Sequence, residues 1–399
     1  MRLEFLAYRN MVSKPMNLVF NLLLLVLSVS LVSFILELSK QVNGQLEKNI
    51  APVDLVIGAK GSPLQLVLSS VLHIDAPTGN IELKEAEKIM QHPFVGSAIP
   101  VAYGDNYKGY RIVGTALNYF DRYNASIDQG RFFDKPFEVV VGSAVSKKLN
   151  LTLGDAFFSS HGLVAAGKDV HEEHAFTVVG VLAPTGSVLD KLLISNIESV
   201  WKAHAHDDDE NERKHNEEEL EITALLVKFK SPLGLVQLPR MINQNTSMQA
   251  ALPRFEIQRL ESFMGAGVKA INSIALAVLL VSGLSILLSL ARAVRERRKE
   301  LALLRTYGVT TKGLFYLVFL EGLSLAVLGY LLGWLLSRLA LLFASKQLSS
   351  SFGYPLEISG FQEADLFLFG ATIFIAFLAI CFASSAIFTL NISKTLSDE

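Results

Sequence analysis

Four long apolar runs fix what this chain can fold into. Residues 16–36 and 270–291 contain no charged side chain, 313–337 contain only Glu321, and 366–393 contain none. Crossing a bilayer takes about 20 apolar residues in a helix, so each run is long enough. The chain is 51% hydrophobic yet 19% charged, which requires apolar and polar residues to be segregated along it. The first run exceeds the apolar core of a cleaved signal, and no small-x-small site follows Glu37, so it reads as an anchor.

The flanking charges set an orientation. Arg2, Arg9 and Lys14 precede the first run, and residues 292–312 carry Arg292, Arg295, Arg297, Arg298, Lys299, Arg305 and Lys312 against Glu296 and Glu300. The connection between the third and fourth runs has Glu357, Glu363 and Asp365 but only Arg338 and Lys346. Basic segments stay on the cytoplasmic side, so both termini and the 292–312 loop are expected there, with residues 39–268 outside. Within the basic loop Leu301, Leu303, Leu304 and Tyr307 have helical spacing and are expected on one face. An amphipathic helix at that surface is placed to receive force from a soluble partner. The plainer reading is a loop that fixes topology and binds anionic lipid head groups, at about 1 kcal/mol per basic residue.

The outer segment reads as mixed α/β. Strands are predicted at 53–57, 112–115, 137–141, 176–182 and 222–229, where β-branched residues cluster between Gly and Pro. Helices are predicted at 82–91 and 143–149, a helix and a strand within 239–258, and a lobe boundary near residue 130. The single cysteine, Cys381, lies in the fourth run, so this domain has no disulfide and depends on its core. The net charge of −2 points to no nucleic-acid partner.

No phosphate-binding G-x-x-x-x-G-K-[ST], H-E-x-x-H, nucleophile elbow or C-x-x-C occurs. Gly58 to Ser62 resembles a phosphate loop only loosely and reads as a turn after a strand. No catalytic residue is predicted. Six of the eight histidines lie from His161 to His215: His161 alone, and five in HEEH (His171, His174) and HAHDDDENERKH (His204, His206, His215). Imidazoles among carboxylates suit a labile divalent metal such as zinc, copper or nickel. The competing reading of the 204–221 insertion is a solvated acidic loop. Metal titration showing nothing tighter than about millimolar would dispose of the metal site.

The order of these parts resembles the FtsX-type permeases of ABC transporters, particularly the MacB-like branch. The stretch RRKELALLRTYGVTTKGLFYLVFLEGLSLAVLGYLLGWLLS is similar to that family's most specific region. VVVGSAVSKKLNLTLGDAF and FTVVGVL resemble its periplasmic core, and Leu6-Ala7-Tyr8-Arg9-Asn10 its opening. The resemblance implies four transmembrane helices plus a large mixed α/β extracytoplasmic domain, divided as 1–38, 39–268 and 269–393. It implies a non-catalytic subunit of a bacterial inner membrane, driven by ATP through a separate ABC ATPase, with a permease dimer and a periplasmic adaptor or substrate protein as further partners. It also implies a coupling helix near 296–308 bearing Arg298, Glu300, Leu301, Leu304, Arg305 and Gly308, with Glu321 behind it. Glu321 either takes part in coupling or sits at the cytoplasmic interface, solvated or paired with Arg305 or Lys312. Gly329 and Gly333 allow close helix contact, within one subunit or between two. As the single ionisable residue of the apolar runs, Glu321 does not make a polar pathway between them. Two other readings are an FtsX-like regulator of a periplasmic enzyme and a metal-handling or metal-sensing membrane protein.

Overall fold

The computed structural model describes residues 4, 5, 7, 9, 15–160, 174–204, 220–352 and 360–388. The chain separates into two compact units: Met1–Gln41, Gly265–Gln347 and Leu356–Glu399 form one, and Val42–Met264 with Leu348–Pro355 form the other. Helix α1 (Pro15–Ile50) outruns its apolar run, which ends at residue 36. The residues that follow, Glu37 to Lys48, include Glu, Leu, Lys and Gln, all good helix formers, so the loss of hydrophobicity does not end the helix.

The second unit follows in order as β1 (Leu55–Ala59), α2 (Pro63–Ser70), β2 (Ile81–Glu82), α3 (Leu83–Met90), β3 (Val95–Tyr107), β4 (Tyr110–Thr115), α4 (Asn118–Arg122), β5 (Ile127–Gly130) and β6 (Glu138–Val141). It continues as α5 (Ser143–Leu149), β7 (Ala156–Phe157), β8 (Phe176–Leu182), β9 (Leu193–Asn196), α6 (Ile197–His204), β10 (Glu221–Ile222), β11 (Ala224–Phe229), α7 (Gly234–Asn245) and β12 (Met248–Ala251). One large sheet runs β12-β1-β11-β3-β4-β9-β6-β8-β5, with β7 on β8, and β10 pairs with β2 apart from it. The β4–β9 and β6–β8 pairs are parallel.

Strand periodicity builds the core on both sheet faces. Along β1, Leu55 and Ile57 join one cluster with Leu225, Val227, Leu238 and Ile242, whereas Val56 joins another with Ile99, Val101, Val113 and Leu226. Successive residues point to opposite faces, and both faces are covered, so the strand is apolar without alternation. Within this unit, at the C-terminal end of α1, Gln45 donates to Gly186 O (2.8 Å), Lys48 to Thr185 O (3.0 Å), and Asn49 accepts from Val188 N–H (3.2 Å). The end of α1 is thereby fastened to the loop before β9.

Several expectations need correction. The 13-residue β3, in the middle of the sheet, was not expected, because Gly96, Pro100, Gly104, Asp105 and Asn106 are poor strand formers. A register shift between Tyr103 and Asn106 absorbs the irregularity. The run at 222–229 divides: Ile222 pairs with Ile81, and Ala224 pairs with Val101. No break falls near residue 130, since β4 and β9 pair across it in a single sheet. Gly58 and Ala59 complete β1, and Ser62 caps α2 by accepting from Gln65 N–H (3.4 Å).

The helical unit is completed by α8 (Pro253–Glu296), α9 (Arg298–Thr306), α10 (Thr311–Phe352) and α11 (Glu363–Phe388). Among the described residues, four stretches are long and apolar enough to cross a membrane: Leu18–Ile50, Lys269–Glu296, Thr311–Lys346 and Glu363–Ser385. The first apolar helix packs closely against the third through glycines. A Cβ on Gly329 would meet Leu25 Cδ2 at 2.3 Å, and one on Gly333 would meet Val29 Cβ at 2.8 Å and Val26 O at 2.9 Å. Between these open sequence readings, the glycines serve packing within one chain. Polar groups join the first and second apolar helices: Asn21 bonds Ser285 (3.0 Å) and Ser289 (2.6 Å), and Ser28 bonds Ser282.

Candidate functional site

The basic loop folds as a short helix with defined ends. Arg297 leaves α8 in a turn conformation, and α9 begins at Arg298. At its other end Gly308 has φ +90°, the left-handed region that glycine enters without a Cβ penalty. Gly308 N–H then donates to Arg305 O and Val309 N–H to Leu304 O, each at 3.1 Å, satisfying carbonyls that helix termination leaves free. Thr310 caps the next helix, its hydroxyl accepting from Gly313 N–H at 3.2 Å.

The expected single apolar face of α9 is in fact divided. Leu301 and Ala302 are buried in the helical core, with Leu304 packed beside them. Leu303 and Tyr307, one turn apart, are 47% and 84% exposed. Leu301 and Leu303 are separated by two helical steps of about 100°, which places them on opposite sides. Arg305 is half-buried and Glu300 exposed. Arg297, Glu300, Leu301, Leu303, Leu304, Tyr307 and Leu317 together line an open pocket of about 220 Å³. Its lining is mostly apolar, with Arg297 and Glu300 contributing one charge of each sign.

Glu321, expected beside Arg305 or Lys312, lies instead 3.4 Å from Arg297, both side chains being largely buried. This pair ties the turn after α8 to α10. Ten helical steps carry Glu321 about 15 Å along from Thr311, where it meets Arg297 just after α8.

The predicted metal ligands are not brought together by what is described. His171, His206 and His215 lie outside the described residues. His204 ends α6, and His174 stacks on Phe137 (4.6 Å between ring centroids) before β8. Among the described residues no group of three or more His, Cys, Asp or Glu is placed to hold a metal ion.

Two polar clusters escaped the sequence reading. In the outer unit, His73 contacts Tyr103 OH through Nδ1 (2.7 Å) and Tyr119 OH through Nε2 (2.9 Å), while Tyr103 donates to Ser69 O. Tyr103 has one proton to give, so Nδ1 carries the imidazole hydrogen and Nε2 accepts from Tyr119. Burial and then the neighbouring Arg111 charge push the His73 pKa down to about 3. The ring is neutral at physiological pH. In the helical unit, Arg338 lies 3.6 Å from Glu37 and is paired with Asp365, all three residues being at least nine-tenths buried. Their positions just beyond the apolar runs made them look like loop charges. The signal available was spacing: Tyr330, Trp334 and Arg338 recur every four residues, as do Leu25, Val29, Ser33 and Glu37.

The described residues comprise four apolar helices and an α/β domain inserted after the first. The family model described as FtsX-like permease C-terminal matches residues 272–396, and that of the MacB-like periplasmic core domain matches residues 18–235. The chain belongs to this MacB-like, FtsX-containing permease family. Its members are membrane-spanning components of ABC transporters, generally non-catalytic, that work with ABC ATPase partners. Among solved structures, the chain is similar to the periplasmic region of MacB from Actinobacillus actinomycetemcomitans, with 15% identity over 54% of this chain and 97% of that one, and a TM-score of 0.36. The extracellular domain of the noncanonic ABC-type transporter YknZ from Gram-positive bacteria has 13% identity over 49% and 98%, with a TM-score of 0.30. A permease-protein domain from Porphyromonas gingivalis has 14% identity over 50% and 86%, with a TM-score of 0.27. No curated protein sequence is significantly similar to the chain.

Proposed function

We propose that this chain transmits ATP-driven movement of a separate ABC ATPase to its own outer domain, for export, extraction or release of a substrate at the outer face of a bacterial inner membrane. Both termini and α9 are cytoplasmic in this reading, in keeping with the basic residues at 292–312. The observation that carries it is α9 itself. It is a capped helix between two apolar helices, anchored by Leu301 and Ala302, with Leu303 and Tyr307 turned to solvent beside a pocket. A partner's side chain seated there pushes on α9. The Arg297–Glu321 pair and the packing of Leu301 and Ala302 in one core with Leu314 and Leu317 pass that push to α10. Two permeases over two ATPases give each ATPase one such helix.

Affinity purification of the tagged chain from native membranes in mild detergent tests this. An ATPase is expected at about one per permease, lost on Arg305→Glu and weakened by Tyr307→Ala. An ATPase retained at full occupancy by both variants would place the docking surface elsewhere. A hydrolase recovered alongside the ATPase would direct the same movement to enzyme regulation rather than transport.

A further inference from the structure

The buried charges at the other end of the helical unit carry a second role. Glu37 comes from α1, Arg338 from α10 and Asp365 from α11, and their residues are 5%, 5% and 4% exposed. Arg338 reaches Glu37 at 3.6 Å, pairs with Asp365, and lies over the Trp334 ring at 5.3 Å. Asp365 also accepts from Ser33 of α1 (3.1 Å) and from the N–H of Gln362 (3.2 Å), while Tyr330 donates to its carbonyl (2.7 Å). Gln362 in turn donates to Glu37 (3.3 Å), as does Gln41 (2.7 Å). Lys40 donates to the Gln362 side chain.

Position gives this cluster its meaning. Arg338 lies 27 residues beyond Thr311, about 40 Å along a helix and more than the thickness of a bilayer's hydrocarbon core. The cluster is therefore at the end of the span remote from α9. Two carboxylates share one guanidinium, so Arg338 offsets the repulsion between the helices that carry them and adds to their direct Ser33–Asp365 and Gln362–Glu37 bonds. Its planar fork can serve both at once, which a point charge does less well.

We propose that Arg338 is a positioning residue that pins the outer ends of the first, third and fourth apolar helices into one body. A displacement entering at α9 then leaves the membrane undivided. This rests on the coupling role proposed above, but the pinning is measurable on the permease alone.

Spin labels at Leu36→Cys and Phe367→Cys, both exposed, report the separation of the two carboxylate helices in a Cys381→Ala background. The full chain in lipid nanodiscs should show one narrow distance. Arg338→Met should lose it and Arg338→Lys should recover part of it. The combined variant Glu37→Gln, Arg338→Met, Asp365→Asn leaves no buried charge unpaired, so it separates pinning from simple charge burial. Loss of the narrow distance in the combined variant supports the proposal. A narrow distance there, or in Arg338→Met, overturns it. In the complex with the ATPase, ATP should leave the native separation unchanged, and a change would also overturn the single-body role. Failure to recover any ATPase would sink the coupling reading while leaving the nanodisc result standing.

Discussion

Single positions in this chain differ sharply in what they tolerate. An alanine at Gly333 would press its Cβ to 2.9 Å from Val26 O, and backbone cannot move aside as a side chain can. Gly333→Ala should cost about 1–3 kcal/mol in thermal unfolding in detergent, as overpacking typically does. Gly370, in α11, has no atom within 4 Å of its built Cβ, and Gly370→Ala should instead stabilise by about 0.5–1 kcal/mol. His73 gives a pH effect of definite sign. Its pKa falls from 6.5 in the unfolded chain to about 3 in the fold, so between these values only the unfolded chain takes up the proton. Stability is complete above pH 6.5 and falls as pH drops, by about 1.4 kcal/mol per unit. Unfolding measured between pH 7 and 5 should show this slope, and His73→Asn should lose it; Asn also accommodates the left-handed backbone there (φ 56°). The close approach at Gly333 was legible from the sequence, but the setting of His73 was not. A histidine among apolar residues gives no sign of which hydroxyls will enclose it.

Among elements, α9 shows how local chemistry can be read while its orientation cannot. Its basic residues, its amphipathic spacing and the glycine after it all pointed to a short helix ending near Gly308, and the structure has one. Which side faces inward depends on α10, which spacing alone does not provide, so Leu301 and Leu303 were wrongly given a common face. Gly308→Ala isolates the cap. No atom lies near the new methyl group, so the cost is conformational, about 1–2 kcal/mol from the left-handed backbone. Hydrogen exchange at the amides of Gly308 and Val309 should speed up by about 5–30-fold, with α10 unaffected. Strands followed the same rule. β8 and α5 were found at their full extents because their residues agree with their structure, whereas β3 carries glycine, proline and asparagine and is held as a strand by β11 and β4.

For the whole molecule, the apolar runs were the most legible feature and their ends the least. Helices α1, α8 and α10 each extend past the last apolar residue, and Glu37 and Arg338 sit in those extensions. Hydropathy marks where lipid can be, and a helix continues wherever its residues permit. Orientation can be tested directly in the Cys381→Ala background. A membrane-impermeant maleimide should label Leu117→Cys on intact right-side-out vesicles but Tyr307→Cys only after permeabilisation, both positions being exposed. Labelling of Tyr307→Cys on intact vesicles would invert the topology.

The Glu37–Arg338 pair also imposes a timetable on biosynthesis. Glu37 is made about 300 residues before its partner, and at about 5–20 residues per second that leaves it without a guanidinium for about 15–60 s. During that interval the first helix cannot bury this carboxylate cheaply, so the nascent chain must hold its end at the water interface while the outer domain is translated. Final assembly of the helices is thereby postponed until the third span has emerged, and a ribosome stalled before Arg338 leaves an intermediate whose first anchor is inserted but not yet seated.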